Sequence, residues 1–208
     1  MTSPDYLCFH VEHCNWARVG DYTGHIIDSA QHALLTIYRD WLVSEALPAG
    51  GIGSAEAVRI DRRHIADSLL FATPMREPVE IWDLGSGVGL PGIPLAILFP
   101  RTPVVLIDRS SRRGDLMRRA VRVLDLPNVR VEHDEIEHLR GSTATIVSRA
   151  SLPPEEMLKV ARRHLEPGGL AIVGGSWTEK PTVTGWEIME IPPEVLDHTV
   201  WLLIMHRK

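Results

Sequence analysis

The spacing of apolar and polar positions changes rhythm near residue 79. Before it the period is helical. Ile26, Ala30, Ala33, Leu34, Ile37, Trp41 and Leu42 recur at intervals of three and four, which predicts an amphipathic helix over residues 25–47. The run PAGGIGS (48–54) breaks it. A second helix, RRHIADSLLFA, is expected next, capped by Asp61 and ending before Pro74. From residue 79 the chain gives short, apolar, β-branched runs: VEIWDL, VVLID (104–108), VRVEH (129–133), TATIVS (143–148) and LAIVGG (170–175). Helical segments separate most of them: PGIPLAILF, SRRGDLMRRAVRVLDL and PPEEMLKVARRHLEPGG. Strands alternating with helices predict right-handed crossovers and a mostly parallel sheet covered on both faces, a Rossmann-like α/β fold. WEIMEI and HTVWLLIMHRK read as two further strands with no helix between them, a C-terminal antiparallel hairpin. The expected organisation is an extension over 1–23 and a single domain over 24–208. Within the domain, 24–78 is the N-terminal helical part and 79–208 the Rossmann-like core.

Composition narrows the class. The chain has 208 residues, 44% hydrophobic and 24% charged, ordinary for a globular domain with a sizeable core. No apolar run reaches the roughly 18 residues of a membrane span, and MTSPDYLCFHVEHCNW lacks a basic region followed by an apolar core. With only two cysteines, the default is a reducing cytoplasm. A net charge of −5 removes bulk attraction to nucleic acid, but a local basic patch is compatible with that average.

The candidate chemistry starts at DLGSGVGLPGIP (83–94), between an apolar run and a helical segment. Glycines such as Gly85 and Gly87 permit positive φ and close approach of a ligand to the backbone. Asp108 ends the next strand, where an acid accepts hydrogen bonds from ribose hydroxyls; the plain alternative is a tight turn with Asp108 capping the following helix. Pro91 and Pro94 place a helix start near residues 91–93 and remove N–H donors that a pyrophosphate would use. That disfavours NAD or FAD and favours S-adenosylmethionine, which has no phosphate. No GxxxxGK[ST] is present, which argues against a nucleoside triphosphate.

DLGSGVGLPGIPLAI closely resembles the loop of the bacterial small-subunit ribosomal RNA guanine-N7 methyltransferases, the glucose-inhibited division protein B family; LPGIPLA is its distinctive part. RRHIADSLL (62–70) and VSRAS (147–151) resemble two more of that family's segments, in the same order. The resemblance implies a class I S-adenosylmethionine-dependent methyltransferase acting on guanine N7 of 16S ribosomal RNA in the small subunit. It implies cofactor contacts at Gly85, Leu90, Glu135, Ile136 and Arg149, with Asp108 on the ribose. Arg149 also has its own rationale, a guanidinium at the carboxyl end of a central strand; otherwise it is a surface arginine. The chain departs from the family at VGGSW, where Gly174 and Gly175 stand in place of a lysine followed by glycine.

Guanine N7 has a lone pair and no proton, so no general base is needed and no catalytic residue is assigned. Arg62, Arg63 and His64, with Arg109, Arg112 and Arg113 in the run RSSRRGDLMRR, are the candidate RNA-facing residues; for that run a solvated helix face is an equal alternative. His64 and Asp67, three apart, suit a hydrogen bond to each other better than a substrate role. Trp41, Trp82 and Trp201 read as core, and Trp177 as a candidate for stacking on a base. Cys8, His10, His13 and Cys14 are zinc-type ligands at an unusual spacing, so no metal is expected. A small-molecule methyltransferase of the same fold and a non-catalytic cofactor-binding protein are the alternatives.

Overall fold

A computed structural model of the protein describes residues 16–208. Helix α1 covers residues 16–23. Helix α2 (Ser29–Trp41) is capped by Asp28, whose side chain accepts from Gln31 N–H while the Gln31 side chain accepts from Asp28 N–H. This reciprocal box satisfies two amides a helix start leaves open, so the helix begins later than residue 25. One wide turn, Leu42–Ala46, extends it. The chain then re-enters as one irregular helical segment rather than the expected single helix. A 3₁₀ stretch (Ser54–Arg59), a wide-turn stretch (Ile60–Ala66), the short helix α3 (Asp67–Leu69) and a 3₁₀ turn (Leu70–Ala72) follow one another. Asp61 is therefore inside this segment and not at its N-cap.

The strands are β1 (Ile81–Leu84), β2 (Val104–Asp108), β3 (Val129–His133), β4 (Thr143–Arg149), β5 (Leu165–Gly174), β6 (Glu187–Ile191) and β7 (Val200–His206). Helices α4 (Gly92–Leu98), α5 (Ser111–Leu124) and α6 (Pro154–His164) connect parallel strands. The sheet order is β3-β2-β1-β4-β5-β7-β6. β1 to β5 run parallel, and β7 is antiparallel to both β5 and β6. One expectation fails in detail: a single-turn helix, α7 (Pro193–Leu196), separates β6 from β7.

Successive strand residues point to opposite faces, and both faces are buried. Ile81, Val104, Leu106, Val147, Ile172 and Ile204 join one core with α2, α4 and α5. Trp82, Val105, Ile107, Ile146, Ala171 and Leu203 join the other with Met157 and Ala161 of α6. The order reverses at β1, so the crevice at the carboxyl ends of β1, β2 and β4 is the topological switch point where such sheets hold ligands. No described helix is long and apolar enough to cross a membrane.

The glycines at the end of β5 have a packing reason. A Cβ on Gly174 would lie 2.6 Å from Cζ of the buried Phe71, and one on Gly175 would lie 2.7 Å from the Trp177 ring. Aromatic rings occupy the space a longer side chain would need. Gly174→Ala should lower stability by about 1–3 kcal/mol through overpacking. Urea unfolding with an unchanged slope and a lower midpoint is the expected reading.

Candidate functional site

The site grows from the turn after β1. Gly85 has φ +72° and Gly87 φ +65°, in the left-handed region that favours glycine. At Gly85 a side chain is also excluded by space, since its Cβ would fall 2.3 Å from Ser151 Cβ. The loop amides are spent internally. Gly85 N–H and Ser86 N–H donate to the Ile107 carbonyl at 2.9 and 3.0 Å, and Gly89 and Leu90 donate to the Ser86 carbonyl at 2.9 Å. Helix α4 begins after Pro91, and its first turn offers little to an anion. Gly92 N–H donates to Asp83 Oδ2 at 2.8 Å, Ile93 N–H to the Gly89 carbonyl at 2.7 Å, and Pro94 has no N–H. The prolines were expected to strip donors from this helix end; the chain's own acceptors take the rest.

Asp83 is fully buried and accepts from Ser86 Oγ as well, while its Oδ1 is buried with no partner among the described residues. Burial pushes its carboxyl up to about 7 against the hydrogen bonds from Ser86 and Gly92. Asp108 sits at the end of β2, equally enclosed. Its Oδ2 accepts from Gly87 N–H at 2.9 Å, and its Oδ1 accepts from Ser110 N–H at 2.8 Å and Arg113 Nε at 3.0 Å. A carboxylate has about four lone-pair directions, so capacity for one further donor remains.

A cleft of about 350 Å³ opens over these groups, lined by Gly85, Gly87, Asp108, Arg113, Asp134 and Ile136, among others. A second pocket runs from Gly85 and Gly87 past Val88 and Leu90 to His64 and Arg149. Tyr38 of α2, fully buried, ties this wall to the helical layer by donating to the Val88 carbonyl at 3.0 Å. Arg149 bridges the sheet and the irregular segment. One terminal nitrogen donates to the carbonyls of Arg63 (3.1 Å) and His64 (3.4 Å), and the other to His64 Nδ1 (3.1 Å). The opposite His64 nitrogen, Nε2, faces Glu56 Oε2 at 3.4 Å. Burial and the Arg149 charge lower the His64 pKa to about 4, so the ring is neutral at pH 7 and Nε2–H···Glu56 is not an ion pair. Ala150, φ +53°, turns the chain after β4 and sends Ser151 back against Gly85.

The expected site residues divide. Gly85, Gly87, Leu90, Asp108, Ile136 and Arg149 meet on the clefts, and Arg63 and His64 lie on the adjoining wall. Glu135 is not among the residues lining the clefts described above; its exposed carboxylate lies 3.8 Å from His138 Nδ1, and its neighbours Asp134 and Ile136 line the Asp108 cleft. Arg62 pairs with Asp197 at 2.6 Å, and Arg112 donates to the Ala49 carbonyl, so both tie surface elements together away from the clefts. Arg113 is no free basic residue either, since it is held on Asp108. His64 and Asp67 do not bond each other: Asp67 faces His198 Nε2 at 3.4 Å. Trp41 and Trp82 are core, whereas Trp201 is half-buried and lines a cleft with Trp177. Asp83, Tyr38 and His198 were missed; only the position of Asp83 beside the glycines signalled a role. Cys8, His10, His13 and Cys14 lie outside the described residues.

Asp83 gives a pH prediction. Its folded pKa, about 7, exceeds the ordinary 3.8, so the folded state binds the proton more tightly. Its contribution to stability therefore falls as pH rises from about 4 to 7. Asp83→Asn should remove this decline, read as the difference in melting temperature between variant and parent across that window.

A model of the family described as rRNA small subunit methyltransferase G matches residues 31–184. Among curated relatives, a ribosomal RNA small subunit methyltransferase G from Acidothermus cellulolyticus is 38% identical over 149 residues, covering 70% of this chain and 67% of that protein. One of the same name from Nocardioides sp. is 32% identical over 185 residues, covering 86% and 74%. A third, from Chlorobium luteolum, is 33% identical over 150 residues, covering 71% of this chain and 63% of its own length. The chain thus spans about two thirds of these relatives. A ribosomal protein L11 methylase from Lactobacillus delbrueckii subsp. bulgaricus superposes with TM-score 0.55 at 16% identity, over 70% of this chain and 80% of that one. A precorrin-6y C5,15-methyltransferase from Geobacter metallireducens gives TM-score 0.51 at 14% identity, over 69% and 87%. These two likenesses show the fold, that of class I methyltransferases.

Proposed function

Because the chain belongs to the ribosomal RNA small subunit methyltransferase G family, we propose that it is an S-adenosylmethionine-dependent methyltransferase acting on guanine N7 of 16S ribosomal RNA in the small subunit. The observation that carries the cofactor reading is the pairing of Asp108 with a closed helix end. A buried carboxylate at the tip of β2 faces the cleft, while every donor assigned in the first turn of α4 is taken within the chain. Such a cleft suits an adenosine with a ribose and no pyrophosphate. Asp108 would receive a ribose hydroxyl, Ile136 would give the base an apolar surface, and Arg149, with donors beyond those it uses, would meet a carboxylate.

Bound there, S-adenosylmethionine supplies a methyl group on a cationic sulfur that keeps the bonding pair when N7 attacks. The protein's task is alignment and exclusion of water. N7 carries no proton, and the neutral His64 beside the junction has no proton to remove from it. Alignment alone is worth roughly 7–11 kcal/mol. Exposed Arg63 and Arg109 on the cleft rims supply positive charge for RNA phosphates despite the negative average.

Tritiated methyl transfer onto 16S ribosomal RNA lacking the modification, with mapping of the labelled base, tests the proposal. Label at a guanine N7 is expected; tight cofactor binding without label on RNA or small subunits would refute it. Asp108→Ala should weaken S-adenosylmethionine about 10- to 100-fold by calorimetry, the loss of a charge-assisted hydrogen bond. Gly85→Arg, which meets both a clash with Ser151 and a positive φ, should abolish binding while leaving the far-ultraviolet dichroism unchanged.

A further inference from the structure

A side cleft of about 480 Å³ lies between the irregular segment 54–72 and the start of β7. Two indoles, Trp177 after β5 and Trp201 in β7, line it together with Asp67, His198, Arg63 and Arg149. It touches the cofactor cleft at one end only. Arg149, His64 and Glu56 are shared with the pocket that reaches Gly85 and Leu90, and Ala150 is shared with the Asp108 cleft. Asp67, His198, Trp177 and Trp201 line the side cleft and form a wall that the other two pockets do not share.

That wall has the parts of a base-reading site. Asp67 is the first residue of α3, with its side chain 20% exposed, and the ion-pair partner within reach is His198 at 3.4 Å. One such contact leaves most of a carboxylate's acceptor capacity unused. Half-buried indoles offer faces on which any base stacks. An acceptor-only carboxylate selects an edge with two adjacent donors. Among the purines guanine has that edge, N1–H beside N2–H₂; adenine presents an acceptor at N1. Exposed Arg63 on the rim suits the phosphate of the same nucleotide.

We propose that this side cleft holds the target guanine, with Asp67 reading its Watson–Crick edge and Trp177 or Trp201 stacking on its ring. The inference rests on the methyltransferase reading above and adds to it where the base lies and which residue selects it. The geometry is self-consistent. N7 lies across the ring system from N1 and N2, so a guanine whose Watson–Crick edge meets Asp67 keeps N7 free on the opposite side of its ring. An unpaired or splayed nucleotide is required, because a paired guanine has its Watson–Crick edge occupied. Glu56 lines the cleft too, but its two oxygens face Arg59 and His64, each at 3.4 Å, and Arg63, Arg149 and protonated His198 accept nothing from that edge.

Guanosine and adenosine monophosphate are the probes, titrated into the whole protein and followed by calorimetry without cofactor. Guanosine monophosphate should bind at least about tenfold tighter, the factor one bidentate base contact supplies. Asp67→Asn, whose amide presents one donor and one acceptor, should collapse that ratio toward one. Trp177→Ala should weaken both nucleotides together while the circular dichroism stays that of the parent. Equal affinity for the two nucleotides in the parent protein, or an Asp67→Asn variant that keeps the preference, would overturn the inference. A guanine preference that depends on Asp67, without methyl transfer to ribosomal RNA, would uphold the base site and remove the ribosomal reading alone.

Discussion

The site depends on a buried carboxylate. Asp83, near the end of β1 and inside the core, accepts from two groups that follow it in the chain, the Ser86 hydroxyl and the Gly92 amide. Those two contacts close the glycine loop on itself and fix where α4 starts. They also settle what the loop can hold. In a dinucleotide site the first helical amides are left for phosphate oxygens. Here the protein supplies its own anion to that position, and the proposed cofactor site rests on Asp108 instead. The cost is visible in the raised pKa of Asp83 and in its second oxygen, which has no partner among the described residues.

A second constraint joins the sheet to its N-terminal layer. Arg149 reaches from the end of β4 to the carbonyls of Arg63 and His64, and Tyr38 reaches from α2 to Val88. Both contacts fall at the crevice, so the helical layer forms one wall of the site as well as covering the core. The carbonyls offered to Arg149 lie in a stretch wound more widely than an α-helix. The side cleft exists because this segment stands off from β7.

Local chemistry made much of this legible in the sequence. VVLID and VRVEH are strands with the bounds their apolar runs set, and the glycines with Pro91 located the loop and the helix start. What stayed hidden depends on long-range approach. Asp67 is three residues from His64 but faces His198 in the distant hairpin, a pairing that no local period encodes. Arg113 looked like part of a basic face, yet the first turn of α5 brings it onto Asp108. Arg62 and Arg112 likewise found partners in remote elements. The glycines at the end of β5 looked like a loss of a functional side chain. In the fold they make room for Phe71 and Trp177, and Trp177 lines the side cleft.

The central claim is that the crevice accepts an adenosine through Asp108 and refuses a pyrophosphate because the start of α4 is already occupied. Calorimetric titration of the protein with S-adenosylmethionine and, separately, with NAD under the same conditions tests it most directly. The account predicts saturable one-to-one binding of S-adenosylmethionine and no measurable heat from NAD. Binding of NAD comparable to or tighter than that of S-adenosylmethionine would contradict it.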